Sequence, residues 1–347
     1  MDKKTLSLRV LLIVVCFCVG CICFYQINRS YDPLARYPYV TEENRDIILE
    51  KLDSEDIDYL ITQQIKPETF LPFIDEPDFD LHNAYLYSAA KSVQDASNDY
   101  IVNFVNKYRQ NFSRDILVTL LKHYTYVDLT TFYENEAIFN EDLELVSDPS
   151  LPYVILNENS TVYKYVPSDL VSVSSVSVRS EVASNLQSMI QDFASVMNNE
   201  VSLDLAQGYL SYEAIMEEYV QLNNRIPDQI NDYMLPAGQN EFQLGFTIGL
   251  QEMDEWINLC IENNVYVTRD YSTVLENLSD TARLKMDWLL ENAYRYGFVI
   301  RYPEGKESTT NQLYQPFVLR YVGQQTARQM HDKDVCMEEM TFEEELN

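Results

Sequence analysis

Glycine is scarce in this chain of 347 residues: there are eight, and none lies between residues 21 and 207. Gly20 falls in an apolar run near the N-terminus, and the other seven fall between 208 and 323. Because glycine tolerates positive φ at low cost, tight turns of that kind are expected mainly in the last third. The middle of the chain is therefore expected to consist of helices and glycine-free loops.

Histidine is scarcer still. His82, His123 and His331 are the only three, so none lies between 124 and 330. His82 and His123 fall in a part of the chain with helical patterning, where a lone histidine is more often structural than a ligand. A metal site built from several histidines is therefore not expected between 124 and 330.

Basic residues are the minority among the charged ones: 25 lysines and arginines stand against 55 aspartates and glutamates, a formal net charge of −30. A nucleic-acid partner is not expected, because such binding depends on neutralising phosphates with Lys and Arg. The acidity indicates solubility and mutual repulsion between molecules. A hydrophobic share of 46% still predicts a folded chain, with one large domain or two ordinary ones.

Cysteine is available for at most one disulfide outside the N-terminal apolar run. Inside that run, four cysteines act as small apolar residues: Cys16, Cys18, Cys21 and Cys23. Cys260 and Cys336 remain, and they could pair in an oxidising compartment. Their spacing does not decide whether they do, and a disulfide framework is excluded.

The N-terminus carries the one long apolar run, VLLIVVCFCVGCICFY at 10–25, preceded by Lys3, Lys4 and Arg9. With its flanks the run approaches the roughly 20 residues that a membrane-spanning helix needs. Because basic residues precede it and an acidic chain follows, the positive-inside rule predicts a cytoplasmic tail at 1–7 and an anchor at 8–27. The bulk of the chain is then extracytoplasmic, held at the cell membrane by a single pass.

Cleavage of this segment is the competing interpretation. No A-x-A-like site follows the apolar run, which argues against a signal peptide. The stretch CVGC at 18–21 resembles a lipoprotein cleavage site, although Cys18 lies where leucine is usual. An uncleaved anchor is the prediction, with cleavage left open.

Residues 28–147 are predicted to form a helical extracytoplasmic module. Ile101, Phe104, Val105 and Tyr108 follow the i, i+3, i+4, i+7 spacing of an apolar helix face. Ser54, followed by two acidic residues, is expected to begin another helix. The stretch SDPSLP at 147–152 is the predicted linker.

Residues 148–347 mix helical and strand patterns, which predicts an α+β domain. An amphipathic helix is expected over about 182–197, another from about 212, and a third from near Ser279 to Gly297. Four stretches are predicted strands: PYVILN (152–157), VSLDL (201–205), GFVIRY (297–302) and FVLRYV (317–322).

Four blocks of the C-terminal part resemble the zinc D-alanyl-D-alanine carboxypeptidases of the VanY type, in family order and spacing. They are QGYLSYEAI (207–215), DYMLPAGQNEFQLGFTIGL (232–250), WLLENAYRYGFVIRYPEGKE (288–307) and LYQPFVLRYVG (313–323). The resemblance implies a small antiparallel sheet with flanking helices. It also implies a cell-wall enzyme that trims peptidoglycan stem peptides with a zinc ion.

The chain departs from the family at the positions that carry the chemistry. The pattern S-x-H-x-x-G-x-x-x-D falls on 240–249, where Phe242 and Gly249 replace the two zinc ligands. The pattern E-P-W-H falls on 315–318, where Gln315 replaces the general base and Val318 the third ligand. In G-Y-R-S, Leu210 replaces the arginine expected to meet the substrate's terminal carboxylate.

Together, these replacements remove the side chains on which the family's metal chemistry depends. A catalytic zinc usually has three protein ligands and an open position for water, and Phe, Gly and Val offer no side-chain lone pairs. Glutamine keeps the shape of glutamate but does not exchange a proton near neutral pH. The sequence therefore predicts that zinc is absent and that hydrolysis by the family mechanism is lost.

The resulting hypothesis is a membrane-anchored pseudoenzyme that binds a peptidoglycan stem peptide or a cell-wall protein. Seven residues near the former cleft are predicted to contact that ligand: Tyr209, Ser211, Tyr212, Gln243, Tyr314, Gln315 and Phe317. Two alternatives stay open. One is an active D-alanyl-D-alanine carboxypeptidase or other cell-wall peptidase that uses a different site. The other is a structural ectodomain that interacts through the helical module.

Overall fold

The structure is a computed structural model that describes residues 3–29, 32–137, 140 and 142–341. The first two residues of the predicted tail and the last six of the predicted C-terminal domain lie outside the described residues. The chain divides into two compact units, Met1–Leu117 and Val118–Asn347. The domain boundary expected at 147/148 stays a prediction.

The N-terminal unit is helical. Its elements are α1 (Lys3–Arg29), α2 (Glu42–Lys51), α3 (Ser54–Gln63), α4 (Pro67–Phe70), α5 (Ala84–Val93), α6 (Asn98–Tyr108) and the start of α7 (Arg114–His123). Thr41 begins α2 with a reciprocal capping box to Asn44, and the Asp53 carboxylate caps α3. A core that includes Leu34, Ile48 and Leu60, each fully buried, joins α2, α3, α4 and the start of α5. The helical character predicted for this region is confirmed within the unit.

The first helix is long and apolar enough to cross a membrane. Over Arg9–Ile27 the mean hydropathy is 2.7, and none of that window is buried. A signal sequence near the N-terminus would share these properties, so the anchor stays a proposal.

The C-terminal unit contains helices and strands together, as predicted. Its helices after α7 are α8 (Tyr126–Thr131), α9 (Ser180–Val196), α10 (Tyr212–Asn223), α11 (Ile230–Tyr233), α12 (Glu252–Glu262), α13 (Val265–Thr268), α14 (Ser272–Asn277), α15 (Asp280–Asn292), α16 (Glu307–Thr310) and α17 (Gln324–Lys333). Its strands are β1 (Glu144–Leu145), β2 (Ser160–Thr161), β3 (Leu170–Val173), β4 (Val176–Arg179), β5 (Leu205–Gln207), β6 (Thr247–Leu250), β7 (Phe298–Tyr302) and β8 (Gln315–Tyr321).

The largest sheet has four strands in the order β5-β6-β8-β7, and every neighbouring pair is antiparallel. All seven residues of β8 are buried, because β8 is an inner strand with helices packed on it. Trp256 of α12 fixes one of these contacts by donating its indole N–H to the Tyr314 carbonyl at 2.7 Å. The predicted helix from Ser279 is confirmed as α15, which Ser279 caps. The short 3₁₀ turn after it ends at Gly297, where φ is +86°.

The strand predicted at 152–157 is wrong. Within it, Asn157 makes an isolated bridge to Ser160, and the rest is loop. The Arg320 guanidinium donates to the carbonyls of Pro152 and Val154, both at 3.0 Å. Two of the segment's acceptors are therefore bonded to a side chain instead of a neighbouring strand. The strand predicted at 201–205 shares only Leu205 with the observed strand, because β5 covers Leu205–Gln207.

Cys260 and Cys336 are free thiols buried in the C-terminal unit, 1% and 2% exposed. Burial raises the pKa of each thiol to about 12. Near pH 8 the thiolate fraction is then lower by about a thousandfold than for a thiol of pKa about 8.5. We expect both cysteines of the native full-length chain to resist iodoacetamide at pH 8 and to react after denaturation, as measured by peptide mass spectrometry. Protection that persists in denaturant and disappears on reduction would instead show a disulfide.

Candidate functional site: a repacked cleft on the sheet

The three positions at which the sequence departs from a zinc-ligand pattern lie together on the sheet. Gly249 of β6 and Val318 of β8 are cross-strand partners. A Cβ built on Gly249 would lie 3.4 Å from Cζ of Phe242 and 3.2 Å from Sδ of Met253. The Phe242 ring therefore covers Gly249, and both Phe242 and Val318 are buried.

A short turn before β6 places Phe242. The Asn240 carboxamide accepts from the Phe242 amide at 3.0 Å and donates to the Leu235 carbonyl at 3.2 Å. The turn continues as a 3₁₀ helix over Glu241–Leu244 and ends at Gly245, whose φ is +75°. Glycine is favoured at 245 for two reasons: the φ is positive, and a Cβ there would lie only 3.0 Å from Arg179 Cγ.

Directly beside Phe242, Glu241 holds two buried arginines. Its carboxylate accepts from Arg301 Nε at 2.8 Å and from Arg320 Nη1 at 3.0 Å. Arg301 also forms a two-bond pair with Glu338. Burial raises the pKa of the Glu241 carboxyl, but the charges of Arg301 and Arg320 outweigh burial and hold that pKa below its ordinary value. Glu241 is therefore an ionised structural residue within the former motif.

Gln315 begins β8 at the position where the family has its general base. Its side-chain amide donates to the Tyr233 carbonyl at 3.1 Å, and the residue is 5% exposed. Only the NH₂ end of the carboxamide has a proton to donate to a carbonyl, so this bond fixes which end faces Tyr233. The Gln315 side chain is thus held in place without a titratable group.

A cavity of about 450 Å³ lies against these residues. It is lined by Gln207, Glu218, Gln221, Leu222, Arg225, Tyr233, Met234, Leu235, Asn240, Glu241, Phe242, Thr247, Met253, Asp254, Ile257, Asn258, Tyr302, Gln312, Gln315 and Val318. Phe242 and Val318 repack the wall of the cleft, while space remains in front of them.

The seven residues predicted to bind a ligand are placed differently from one another. Of these seven, Gln315 is the one among the lining residues of the described cavity. Gln243 is fully buried, and its amide donates to the carbonyls of Tyr163 and Tyr165 at 2.6 and 3.1 Å. Ser211 caps α10 through the Ala214 amide at 3.2 Å.

The other four are aromatic. Tyr314 and Phe317 are buried around Trp256, with ring centroids at 5.2 and 6.3 Å from it. Tyr209 and Tyr212 are half-buried, and Tyr212 packs against Tyr163 at 6.0 Å between centroids. The ligand role of these residues stays a prediction.

Sequence reasoning missed several polar residues of the cavity wall. Glu218, Gln221 and Arg225 project from or just beyond α10, while Asp254 and Asn258 belong to α12. The signal for them was present as helical spacing: 218, 221, 222 and 225 follow i, i+3, i+4, i+7. That spacing marks a shared face but does not show what the face meets.

The residues at this site do not fit a zinc ion. Phe242, Gly249 and Val318 have no donor atoms to give, and the amide of Gln315 is a weak substitute for a carboxylate. Across the described residues, no three His, Cys, Asp or Glu side chains are grouped so as to hold a metal. The side chains at this site therefore do not supply the ligands that metal-dependent hydrolysis needs.

Comparisons with known proteins agree on one family. Residues 175–324 match the family model described as VanY, D-alanyl-D-alanine carboxypeptidase. YodJ, a carboxypeptidase-like protein of Bacillus subtilis (strain 168), is 28% identical over 225 residues, which is 61% of this chain and 74% of that protein. A D-alanyl-D-alanine carboxypeptidase of Enterococcus faecium is 28% identical over 134 residues, which is 38% of this chain and 43% of that protein.

Two solved structures are similar to part of the chain. The LdcB LD-carboxypeptidase is 27% identical, with a TM-score of 0.42, over 57% of this chain and 88% of that one. VanYB, solved with D-alanine-D-alanine, is 20% identical, with a TM-score of 0.42, over 54% of this chain and 96% of that one. The family model thus assigns residues 175–324, from just before β4 to the first residue of α17, to the VanY family of D-alanyl-D-alanine carboxypeptidases.

Proposed function

We propose that this chain is a catalytically inactive member of its family that acts at the cell wall by binding a peptidoglycan stem peptide. The observation that supports the proposal most directly is the meeting of Phe242, Gly249 and Val318 at one place on the sheet, next to a cavity. A protein partner seated on the same cleft is the other occupant that this proposal admits.

Loss of catalysis follows from what these side chains lack. A zinc-bound water attacks because the metal lowers its pKa towards about 7 and polarises the carbonyl under attack. Gln315 provides no base for that water, and its NH₂ group is committed to the Tyr233 carbonyl. Leu210 has no charge to offer to a terminal carboxylate, and its backbone amide donates to the Phe242 carbonyl at 3.3 Å. Binding can persist without any of these groups.

The cavity is suited to holding a ligand. Its volume of about 450 Å³ falls within the roughly 300–1,000 Å³ of ordinary small-molecule sites. The wall combines apolar side chains such as Leu222, Ile257 and Phe242 with carboxamides such as Gln207 and Gln312. Carboxamides both donate and accept hydrogen bonds, as peptide groups do, so a peptide is the ligand class that the wall favours.

The proposed location is the outer face of the cell membrane, with α1 as the anchor. The Arg9–Ile27 window has the length and composition of a spanning helix, and the basic residues before it favour a cytoplasmic N-terminus. Both compact parts of the chain beyond α1 would then face the wall.

Turnover of a stem pentapeptide is the direct test of inactivity. We expect the full-length chain in detergent, supplied with equimolar zinc, to release no D-alanine above the level of a blank, because metal ligands and base are both absent. The peptide should nevertheless bind, as measured by isothermal calorimetry. Release of D-alanine that Gln315→Ala abolishes would overturn the proposal. Release that survives Gln315→Ala would instead support an enzyme with a different site.

A further inference from the structure

We infer that the cavity recognises an ammonium group, the side-chain amine of its peptide ligand, instead of a free carboxylate. This inference rests on the proposed function and specifies the ligand chemistry of the same site. It follows from the orientation of three carboxamides and from two carboxylates in the cavity wall.

Three glutamines line the cavity with their amide nitrogens turned to the protein. Gln315 donates to the Tyr233 carbonyl at 3.1 Å, Gln312 donates to the carbonyls of Asn231 and Asn311, and Gln207 donates to the Glu218 carboxylate at 2.9 Å. In each case the partner is an acceptor, so the NH₂ end must face it and the orientation is fixed by chemistry.

The oxygen of each of these carboxamides is consequently left for a ligand. None of the three oxygens accepts a hydrogen bond from the described part of the chain, and none is sealed away from solvent. A cavity wall whose fixed groups offer oxygen atoms selects a ligand that brings N–H donors. An ammonium group carries three such donors and no acceptor.

Two carboxylates strengthen that preference. Glu218 receives one bond, from Gln207, and within the described ranges neither Glu218 nor Asp254 forms an ion pair. Burial raises the pKa of Glu218 and the nearby charge of Asp254 also raises it, against the lowering by the Gln207 hydrogen bond. Both effects would be relieved by a cation placed between the two side chains, because charge-assisted hydrogen bonds favour the ionised carboxylate.

The other charged residues of the wall do not cancel this field. Glu241 is neutralised by the two buried arginines described above. Arg225 is the one basic residue of the described lining, and because it is exposed, solvent screens its charge. Its Nη2 donates to Asn258 Oδ1 at 2.8 Å and makes no ion pair to Glu218 or Asp254 within the described chain. With Leu210 at the family's carboxylate-binding position, the cleft favours positive charge on its ligand.

A matched pair of peptides tests the inference. The probes are a stem pentapeptide with lysine as its third residue and the same peptide with that lysine Nε-acetylated. We expect the acetylated peptide to bind the full-length chain at least about tenfold more weakly at pH 7, because acetylation removes the charge and two N–H donors. Glu218→Gln should reduce the affinity of the free-amine peptide about tenfold and leave the acetylated peptide unchanged.

Glu262→Gln is the control, since Glu262 is an exposed carboxylate of α12 that lies outside the cavity wall. It removes the same charge and should change neither affinity by more than about twofold. Asp254→Asn is a second test variant, so the result does not depend on the folding of one mutant. Equal affinities for the two peptides would overturn the inference and leave the proposed function intact.

If neither peptide binds, the proposed peptide function fails. Lysinamide then tests separately whether the cavity binds an ammonium group. Millimolar lysinamide should then still shift NMR signals of cavity residues in the wild-type chain but not in Glu218→Gln. Absence of that Glu218-dependent shift overturns the inference as well.

Discussion

Glu241→Gln is expected to destabilise the C-terminal unit by about 3–5 kcal/mol, because it removes the charged partner of two buried arginines. The carboxylate is 2% exposed and holds Arg301 and Arg320, which are 1% and 0% exposed. Removing its charge leaves Arg320 with carbonyl and hydroxyl partners alone, and its Nε already has no partner among described residues. Urea unfolding followed by tryptophan fluorescence measures the loss, since both tryptophans of the chain belong to this unit.

Two further variants test whether the loss of stability is specific to the ion pairs of Glu241. Glu276→Gln removes an exposed carboxylate of α14 and should change stability by less than about 0.5 kcal/mol. Adding Arg320→Met to Glu241→Gln should recover part of the loss, because an unpaired buried charge disappears. A Glu241→Gln chain as stable as wild type would contradict the ion-pair account.

Acid unfolding offers a second readout of the same group. The folded-state pKa of Glu241 lies below its ordinary value. Its contribution is therefore present above the unfolded pKa of about 4.3 and is lost as the pH falls through the lower folded pKa. Wild-type stability should fall more steeply below about pH 4 than the stability of Glu241→Gln, which has no such group to protonate.

The second large effect is a gain of metal binding. The quadruple variant Phe242→His, Gly249→Asp, Val318→His and Gln315→Glu is expected to bind one zinc ion, whereas the wild-type chain binds none. The geometry favours this result because 249 and 318 are cross-strand partners and the Phe242 ring lies against 249. Zinc at a hundred times its Kd should add about 2.7 kcal/mol of stability to the variant. For a unit of this size that is about 5–10 °C in Tm.

Metal content after dialysis and the zinc-dependent Tm shift are the measurements. The double variant Phe242→His with Val318→His is the control, since two ligands should bind zinc much more weakly than three. Stoichiometric zinc in the wild-type chain would contradict both this prediction and the proposed inactivity. D-alanine release by the quadruple variant would show in addition that Gln315→Glu restores a base.

The elements predicted best were those whose signals are local. The apolar spacing from Ile101 to Tyr108 corresponds to α6, and the serine before α15 and the glycine after its 3₁₀ extension mark its ends as expected. Strands β7 and β8 were also predicted, because both read as mostly apolar runs; all of β8 is buried, as are Phe298 and Arg301 of β7. In each case neighbours within a few residues decide the structure.

The failures have a common physical cause in contacts between distant residues. Residues 152–157 read as a strand, but Arg320 takes two of their carbonyls from more than 160 positions away. The hydrogen bonds of Gln243 were likewise beyond local patterns, since its amide donates to carbonyls about 80 positions earlier, while its ligand role stays a prediction. Gln207, Glu218 and Asp254 lie on three separate elements, so no local sequence pattern indicates that they line one cavity.

The packing at Gly249 has a consequence for how this protein can change over evolutionary time. An aspartate introduced there alone would push a carboxylate against the Phe242 ring and the Met253 sulfur, with no cation to balance it. A histidine at 242 or 318 alone would gain no metal and lose apolar packing. Each single replacement is therefore expected to lower stability without creating a metal site, so the zinc ligands of the family pattern could appear at this place only in combination.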